Sequence, residues 1–458
     1  MKILQLTITT ILLTGISFSC CNTTPNKANT KEEIVANAEK AFVAWGKKNA
    51  VVINSLLPTS DNSDLKAIAE SIGDARVVAI SEGFHNCKEM MQLHERLIQY
   101  LVQEKGFNTV ITESGMPESR MVYDFIQGKD VSGNIYKEGF NKMYGAWEEG
   151  RSLIDWMREY NQSHDNVLRY YGADIGGFYT NWYPPVKRIT DYLQKVDPAY
   201  AKQLREKLDP ILKIMGTTQA RVNYQEKLSA EQKAQLAIIF DETIEYFNQN
   251  EEKYVAKWNA EEYQWARQNC ITMRMAENYY RNYADRKGME PHRYAGLNGR
   301  ELMMSHNVLW ALQQRKEAKI ILINHVVHTK TKSQLQDGVW GNFTPMSQFI
   351  KQELGKDFFV IGMCYGGGKF WNKWQRPAER FVDDIQEVKL DGMETTMQAI
   401  AQKNYFIDWS KAPLEAYPWL ENETNLREND YYMKMEPAEW DACFYLHEVS
   451  PGTAAENN

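Results

Sequence analysis

The sequence predicts an α/β fold: a mostly parallel sheet with helices on both faces and a large helical insertion over the C-terminal strand edge. Two observations predict it. Short apolar runs, each ending in polar or charged residues, alternate with stretches whose apolar residues recur at helical spacing. Between Pro184 and about Pro291 that alternation stops, and Ala230 to Arg286 runs without a glycine or proline. Strands alternating with helices build parallel sheets covered on both faces, and ligands bind such sheets beyond the carboxyl ends of the strands.

In chain order, Met1-Lys2 begins a short basic segment, the apolar run Ile3–Phe18 follows, and Ser19 leads into Cys20-Cys21. A run of this length is short for a membrane span and suits a secretory leader. Cysteine directly after it predicts a lipoprotein exported to the cell envelope, on its periplasmic or outer-membrane face. Residues 1–20 are then the signal peptide, with Cys20 acylated and the lipid anchor the sole membrane contact. Residues 21–35 read as a polar tether, and 36–458 as one domain interrupted by the insertion at about 185–291.

The first predicted strand, Arg76–Ile80, stops at Ser81-Glu82-Gly83-Phe84-His85. A helix from Cys87 to Glu104 follows, carries Met90, Leu93, Leu97 and Leu101 on one side, and is closed by Gly106. Thr109–Ile111 stops at Thr112-Glu113-Ser114, with Pro117 placed to open the next helix. A helical pattern from Trp147 to Tyr160 precedes Leu168–Tyr171, which stops at Gly172-Ala173-Asp174. The insertion reads equally as a buttress or a lid. Beyond it, Glu301–Gln314 precedes Lys319–Ile323, which stops at Asn324-His325-Val326-Val327-His328. The last run, Phe358–Met363, ends near Cys364 and the glycines 366–368.

Composition narrows the function. Of 458 residues, 43% are hydrophobic and 25% charged, which excludes a mainly disordered chain. Lys+Arg 53 against Asp+Glu 60 gives 53 − 60 = −7, so no global attraction for nucleic acid is expected. Beyond Cys20 and Cys21 the cysteines are Cys87, Cys270, Cys364 and Cys443. No CxxC pair exists among them, which excludes a zinc knuckle, and no disulfide is expected.

The strand-end rule gathers Glu82, His85, Glu113, Asp174, His325 and His328 on one rim. A histidine that moves protons needs a carboxylate to fix its tautomer and stabilise its charged form, and Glu82 and Glu113 can supply it. His94, about two turns into the first helix, reaches the rim or lies on its flank. The chain has neither the G-x-S-x-G of a serine hydrolase nor the H-E-x-x-H of a zincin. What remains is hydrolysis without a metal, a histidine taking the proton from water. Two alternatives stay open: a divalent metal held by His85, His325 and His328 with Glu82 or Glu113, and a non-catalytic envelope protein that binds an amphiphile.

Glu82-Gly83-Phe84-His85, a helix, then Thr112-Glu113 resemble the E-x-x-H … E pattern of the erythromycin esterase family. So do Trp156 to Asp174 (W-x-R-x-Y-N … G-x-D), Arg300 to Trp310 (R-[DE]-x-x-M-x-x-N-x-x-W) and the strand ending His325-x-x-His328. The resemblance runs from about Arg76 to Cys364. It implies a helical region above a deep cleft and hydrolysis of a macrolide lactone by water, with no covalent intermediate, required metal or other cofactor. The implied partner is a small-molecule ester or lactone. The resemblance further implies that His85 is the general base, that Glu82 and Glu113 orient and polarise the site, and that His325 and His328 stabilise the oxyanion. His94, Asp174, Phe84 and Arg300 are the implied substrate-binding positions. The pattern differs at His94, where the family carries an arginine (Arg96 lies two residues on), and at Val326, where asparagine is usual. Ser81 and Phe84 replace smaller residues, and Phe84 is expected to reshape the pocket floor.

Overall fold

A computed structural model describes residues 29–455 except 166, 177–181, 218, 283–290, 334–342, 372–381, 385–390 and 429–430. The expected signal peptide, Cys20 and most of the tether lie outside the described residues. The tether is shorter than expected at its far end, because helix α1 (Lys31–Asn49) already begins at Lys31. Thr30 and Glu33 form a reciprocal capping box there, satisfying backbone N–H groups that a helix start otherwise leaves unpaired. Phe42 on α1 stacks on Trp419 and Trp409 at 4.5 and 5.5 Å, which fastens the helix to the domain.

After β1 (Val51–Val52) and α2 (Lys66–Ile72), the chain alternates as anticipated: β2 (Val77–Glu82), α3 (Lys88–Lys105), β3 (Thr109–Gly115) and α4 (Arg120–Ile126). Then come α5 (Asn141–Gly145), α6 (Glu148–Ser163) and β4 (Arg169–Asp174). Gly106 ends α3 in the left-handed conformation at φ 69°, which glycine adopts without strain. Pro117 does not open the next helix. It lies in a turn, and α4 starts at Arg120.

The described part of the insertion consists of helices joined by short turns, α7 (Tyr183–Val196), α8 (Pro198–Met215), α9 (Ala220–Lys227), α10 (Ala230–Gln249), α11 (Glu251–Lys257) and α12 (Ala260–Asn282), and α13 (Pro291–Gln313) follows it. Asp197 caps α8, and a Ser229–Gln232 capping box starts α10. The insertion packs on the sheet edge through Trp265 of α12, which meets Tyr171 of β4 at 5.2 Å, and Trp310 of α13 meets the same tyrosine at 5.4 Å.

Next follow β5 (Ile320–His325), α14 (Val326–Thr329), α15 (Met346–Leu354), β6 (Phe358–Trp371), β7 (Val382–Asp384) and α16 (Met393–Ile400). The C-terminal part, unassigned by the sequence patterns, supplies β8 (Tyr405–Asp408), α17 (Tyr417–Leu420), β9 (Thr424–Glu428), β10 (Tyr431–Met435) and β11 (Ala442–Val449).

The main sheet runs β1-β8-β11-β6-β2-β5-β3-β4, with β7 hydrogen-bonded to β6. Every pairing from β11 across to β4 is parallel, while β8 joins β11 antiparallel and β1 joins β8 antiparallel. All residues of β2 and β5 are buried, so these strands read as continuous apolar runs rather than alternating ones. β9 and β10 form a separate antiparallel hairpin.

Candidate active site

The sheet order sets the site. β5 lies between β2 and β3, in a register that places His325 beside Glu82 and Ile323 beside Thr112, the residue before Glu113. Pairing of β3 with β4 is irregular between Thr112 and Gly115, and such bulges re-aim a side chain beside an active site. Glu113 is thus held inside a strand and not at a helix start.

His85 sits in the turn beyond β2; Cys87, not His85, occupies the N-cap of α3. Asn86 takes the left-handed conformation at φ 69°, one that asparagine tolerates better than most residues. Its side chain accepts a hydrogen bond from Trp147 Nε1 at 2.8 Å, and its carbonyl accepts from Gly452 N–H at 2.9 Å. Those contacts fix where the His85 ring projects.

His85 Nδ1 donates to Glu82 Oε2 at 2.8 Å, and its Nε2 lies 3.8 Å from Glu113 Oε2, beyond hydrogen-bond length. The His85 and His325 rings are 4.7 Å apart. His325 Nε2 donates to Glu428 Oε1 at 2.6 Å, while its Nδ1 accepts from Val327 N–H at 3.4 Å. One nitrogen thus faces a carboxylate and the other a backbone N–H. His328 differs: Nδ1 meets Glu301 Oε2 at 2.7 Å and Nε2 meets Glu113 Oε1 at 3.4 Å, so both nitrogens face carboxylates.

Arg300 completes the frame. Its Nε and Nη2 grip Asp174 at 2.8 and 2.7 Å, and Nη2 reaches Glu113 Oε1 at 3.1 Å. Glu301 also accepts from Met346 N–H at 2.9 Å, tying α13 to α15.

These carboxyls, the histidines and Arg300 are all buried, so their charges have to be mutually compensated. The electrostatics separate them. Burial, then the charge of Glu113, raises the Glu82 carboxyl to about 7, against the pull of His94 and His325. Burial also works against the Glu113 charge, yet His328, His85 and Arg300 hold that carboxyl well below the usual range. Burial opposes a charged His328, but Glu301 and Glu113 outweigh it and push the imidazole up to about 9. Tyr144, whose ring stands edge-on to His85, keeps its proton because burial and the nearby Glu82 and Glu113 raise the phenol far above its ordinary value.

The structure therefore brings together Glu82, His85, Glu113, Asp174, Arg300, His325 and His328. The other two expected binding positions are engaged with the fold. His94 Nε2 donates to the Ser81 carbonyl at 3.1 Å, and burial lowers its pKa. Phe84 is 1% exposed, edge-on to Tyr365 and Phe370. Arg96 does not replace the missing family arginine, since its guanidinium pairs with Asp64 at 2.6 Å and donates to the carbonyls of Ser55 and Asp61. Among the described residues no three His, Cys, Asp or Glu side chains are placed to hold a metal ion.

Sequence reasoning missed Glu301, Glu428 and Tyr144. Glu301 stood inside the R-[DE] motif as Arg300's neighbour and was readable there. Glu428 had no signal, because it reaches His325 from the C-terminal hairpin.

The erythromycin esterase family profile matches residues 102–449. The chain belongs to the erythromycin esterase family. Membership makes it a hydrolase of the erythromycin-esterase type. It is 23% identical over 423 residues to the erythromycin esterase type II of Escherichia coli, spanning 89% of this chain and 98% of that one. It is also 21% identical over 445 residues to the putative hydrolase YbfO of Bacillus subtilis (strain 168), spanning 91% and 93%. Among solved structures, a mutant of the erythromycin esterase EreC in its open conformation superposes with a TM-score of 0.70 at 15% identity, covering 88% of this chain and 98% of that one. That likeness establishes the shared fold.

The family's motifs acquire physical meaning here. In the α13 motif, Arg300 and Glu301 hold Asp174, Glu113 and His328, Asn307 donates to the Ala173 carbonyl at 2.7 Å, and Trp310 packs on Tyr171. In the α6 motif, Arg158 donates to the Phe125 carbonyl at 2.9 Å, and Asn161 bonds the Ile126 and Leu168 carbonyls at 2.9 and 3.0 Å. The first motif builds the site; the second braces the strand that carries Asp174.

Proposed function

We propose that this chain is an exported, lipid-anchored carboxylic ester hydrolase that opens a lactone or ester, with a macrolide as first substrate to test, using water activated by His85. The placement of His85 carries the reading: one ring nitrogen is fixed by Glu82, and the other faces the site toward Glu113. Ionised Glu82 accepts the Nδ1 proton and so presents the Nε2 lone pair. Nε2 takes a proton from water as the oxygen bonds to the carbonyl carbon. The resulting oxyanion is met by the His328 imidazolium, the histidine whose surroundings favour its charge, as its Nε2 turns from Glu113, the looser of its two carboxylate contacts at 3.4 Å. Collapse breaks the bond to the leaving oxygen, which takes the proton back from His85. One water enters, and a lactone leaves as a single hydroxy acid or an open-chain ester as an acid and an alcohol, with no bond to the protein at any stage.

The contacts of His325, whose two ring nitrogens are both engaged, support a narrower role than oxyanion binding: it braces β5 against Glu428 and caps α14. The resemblance to a protein named erythromycin esterase supports a macrolide. The apolar run before Cys20 supports export and acylation. Among the described residues no helix is long and apolar enough to cross a membrane.

Product mass after incubation with a macrolide panel tests the reaction. A gain of one water that disappears in His85→Ala, with no acyl adduct on the protein, is the expected result. Turnover retained in His85→Ala would overturn the assignment of the base. A Cys20→Ser variant should lose its acyl chains in whole-protein mass spectra.

A further inference from the structure

Helices α4, α7 and α12 enclose a groove of about 360 Å³ that no member of the histidine cluster lines. Its charges do not cancel. Arg120 is engaged with Asp124 at 3.0 Å and Glu262 at 2.6 Å, and Lys129 also pairs with Asp124 at 2.8 Å. Asp191 pairs with Lys187 at 2.5 Å. The acids of the groove are thereby taken. Arg188 and Lys195 remain, two turns apart on the α7 face that also carries Tyr192. Neither makes a hydrogen bond or an ion pair among the described residues. Lys195 Nζ instead sits 3.5 Å over the Trp258 ring, and Trp258 is stacked on Tyr192 at 5.6 Å. Burial, then the like charge of Arg120, lowers the Arg188 pKa and outweighs the opposing pull of Asp124, Glu118 and Asp191, none of which bonds the guanidinium.

An inward guanidinium without a partner, beside an aromatic wall, is an incomplete recognition site. Guanidinium binds carboxylate and phosphate through paired charge-assisted hydrogen bonds, and flat rings bury well against tryptophan and tyrosine. We propose that the groove binds an organic anion, a carboxylate or phosphate on an aromatic body, with the anion at Arg188 and Lys195 and the body against Trp258 and Tyr192. The site lies between the insertion and α4 and holds an effector or a substrate appendage independently of the histidine chemistry.

Titration calorimetry of the full chain with benzoate, phenyl phosphate and neutral phenol tests this. Both anions should bind more tightly than phenol, and the tighter one names the anion class. Arg188→Met should weaken that anion at least about tenfold, the loss expected for a charge-assisted pair, and Lys195→Met should weaken it less. Because Arg188 makes no hydrogen bond or ion pair among the described residues and its burial outweighs the pull of the nearby acids, Arg188→Met should melt no lower than the parent chain. Failure of both anions to bind the parent, equal affinity in Arg188→Met, or a lowered melting temperature in that variant would each overturn the proposal.

Discussion

Glu301 holds His328 Nδ1 at 2.7 Å from the opposite side to Glu113, which faces Nε2 at 3.4 Å. The imidazole is bracketed by carboxylates from α13 and β3, and its pKa rises from 6.5 to about 9. A histidine whose folded pKa is raised stabilises the fold fully below pH 6.5 and loses that contribution as pH climbs toward 9. A shift of this size corresponds to of the order of 3 kcal/mol. Denaturant midpoints of Glu301→Gln and the parent should therefore differ most at pH 6 and converge by about pH 10. A gap that stays constant with pH would show that the bracket is not the source.

Glu82 shows the opposite linkage. Burial raises its carboxyl from 4.5 to about 7, so the folded state loses stability as pH rises from 4.5 to 7 and the group is forced to ionise. Activity should rise over the top of that window, because only ionised Glu82 can accept the His85 proton. We expect Glu82→Gln to lower kcat by about 10²–10⁴-fold and to be more stable than the parent at pH 8. A less stable, still active variant would contradict both assignments.

Arg300 compensates Asp174 and Glu113 together. Arg300→Met leaves both carboxylates buried without it, and unpairing a buried ion typically costs about 3–5 kcal/mol. Adding Asp174→Asn should restore part of the loss. Urea unfolding of the single and double variants measures the coupling, and simple additivity would refute it.

Asn86 links the C-terminal segment to the position of His85. A β-branched residue in the left-handed conformation is strained by roughly 1–2 kcal/mol. Asn86→Val should lower both stability and kcat. Asn86→Gly keeps the backbone free, loses the Trp147 hydrogen bond and should retain most activity. Steady-state kinetics beside thermal melts distinguish the two, and equal kcat losses would show that the side chain, not the backbone, matters.

How far the sequence went can be judged from particular residues. The four strand ends carrying Glu82, Glu113, Asp174 and His325 were readable because fully buried parallel strands are unbroken apolar runs that stop at the chemistry. Pro117 misled, since a proline suited to a helix start also suits the turn that it occupies. His94 was located in the right helix, but a helix pattern cannot say whether a ring points to a cleft or to the Ser81 carbonyl. Glu428 was out of reach: β9 pairs with β10 away from the main sheet, and long-range return of that hairpin to His325 leaves no local pattern.

The position of β5 between β2 and β3 also bears on how the molecule is made. Those flanking strands are synthesised early, yet they cannot complete their edges with each other; each awaits a strand roughly two hundred residues later, on the far side of a long helical insertion. During synthesis two apolar strand edges stay open until Ile320–His325 emerges, and open edges of this kind invite pairing with other chains. A ribosome stalled within the insertion would hold a sticky, inactive half-sheet, so a chaperone that shields it matters more to the yield of this protein than to its final stability.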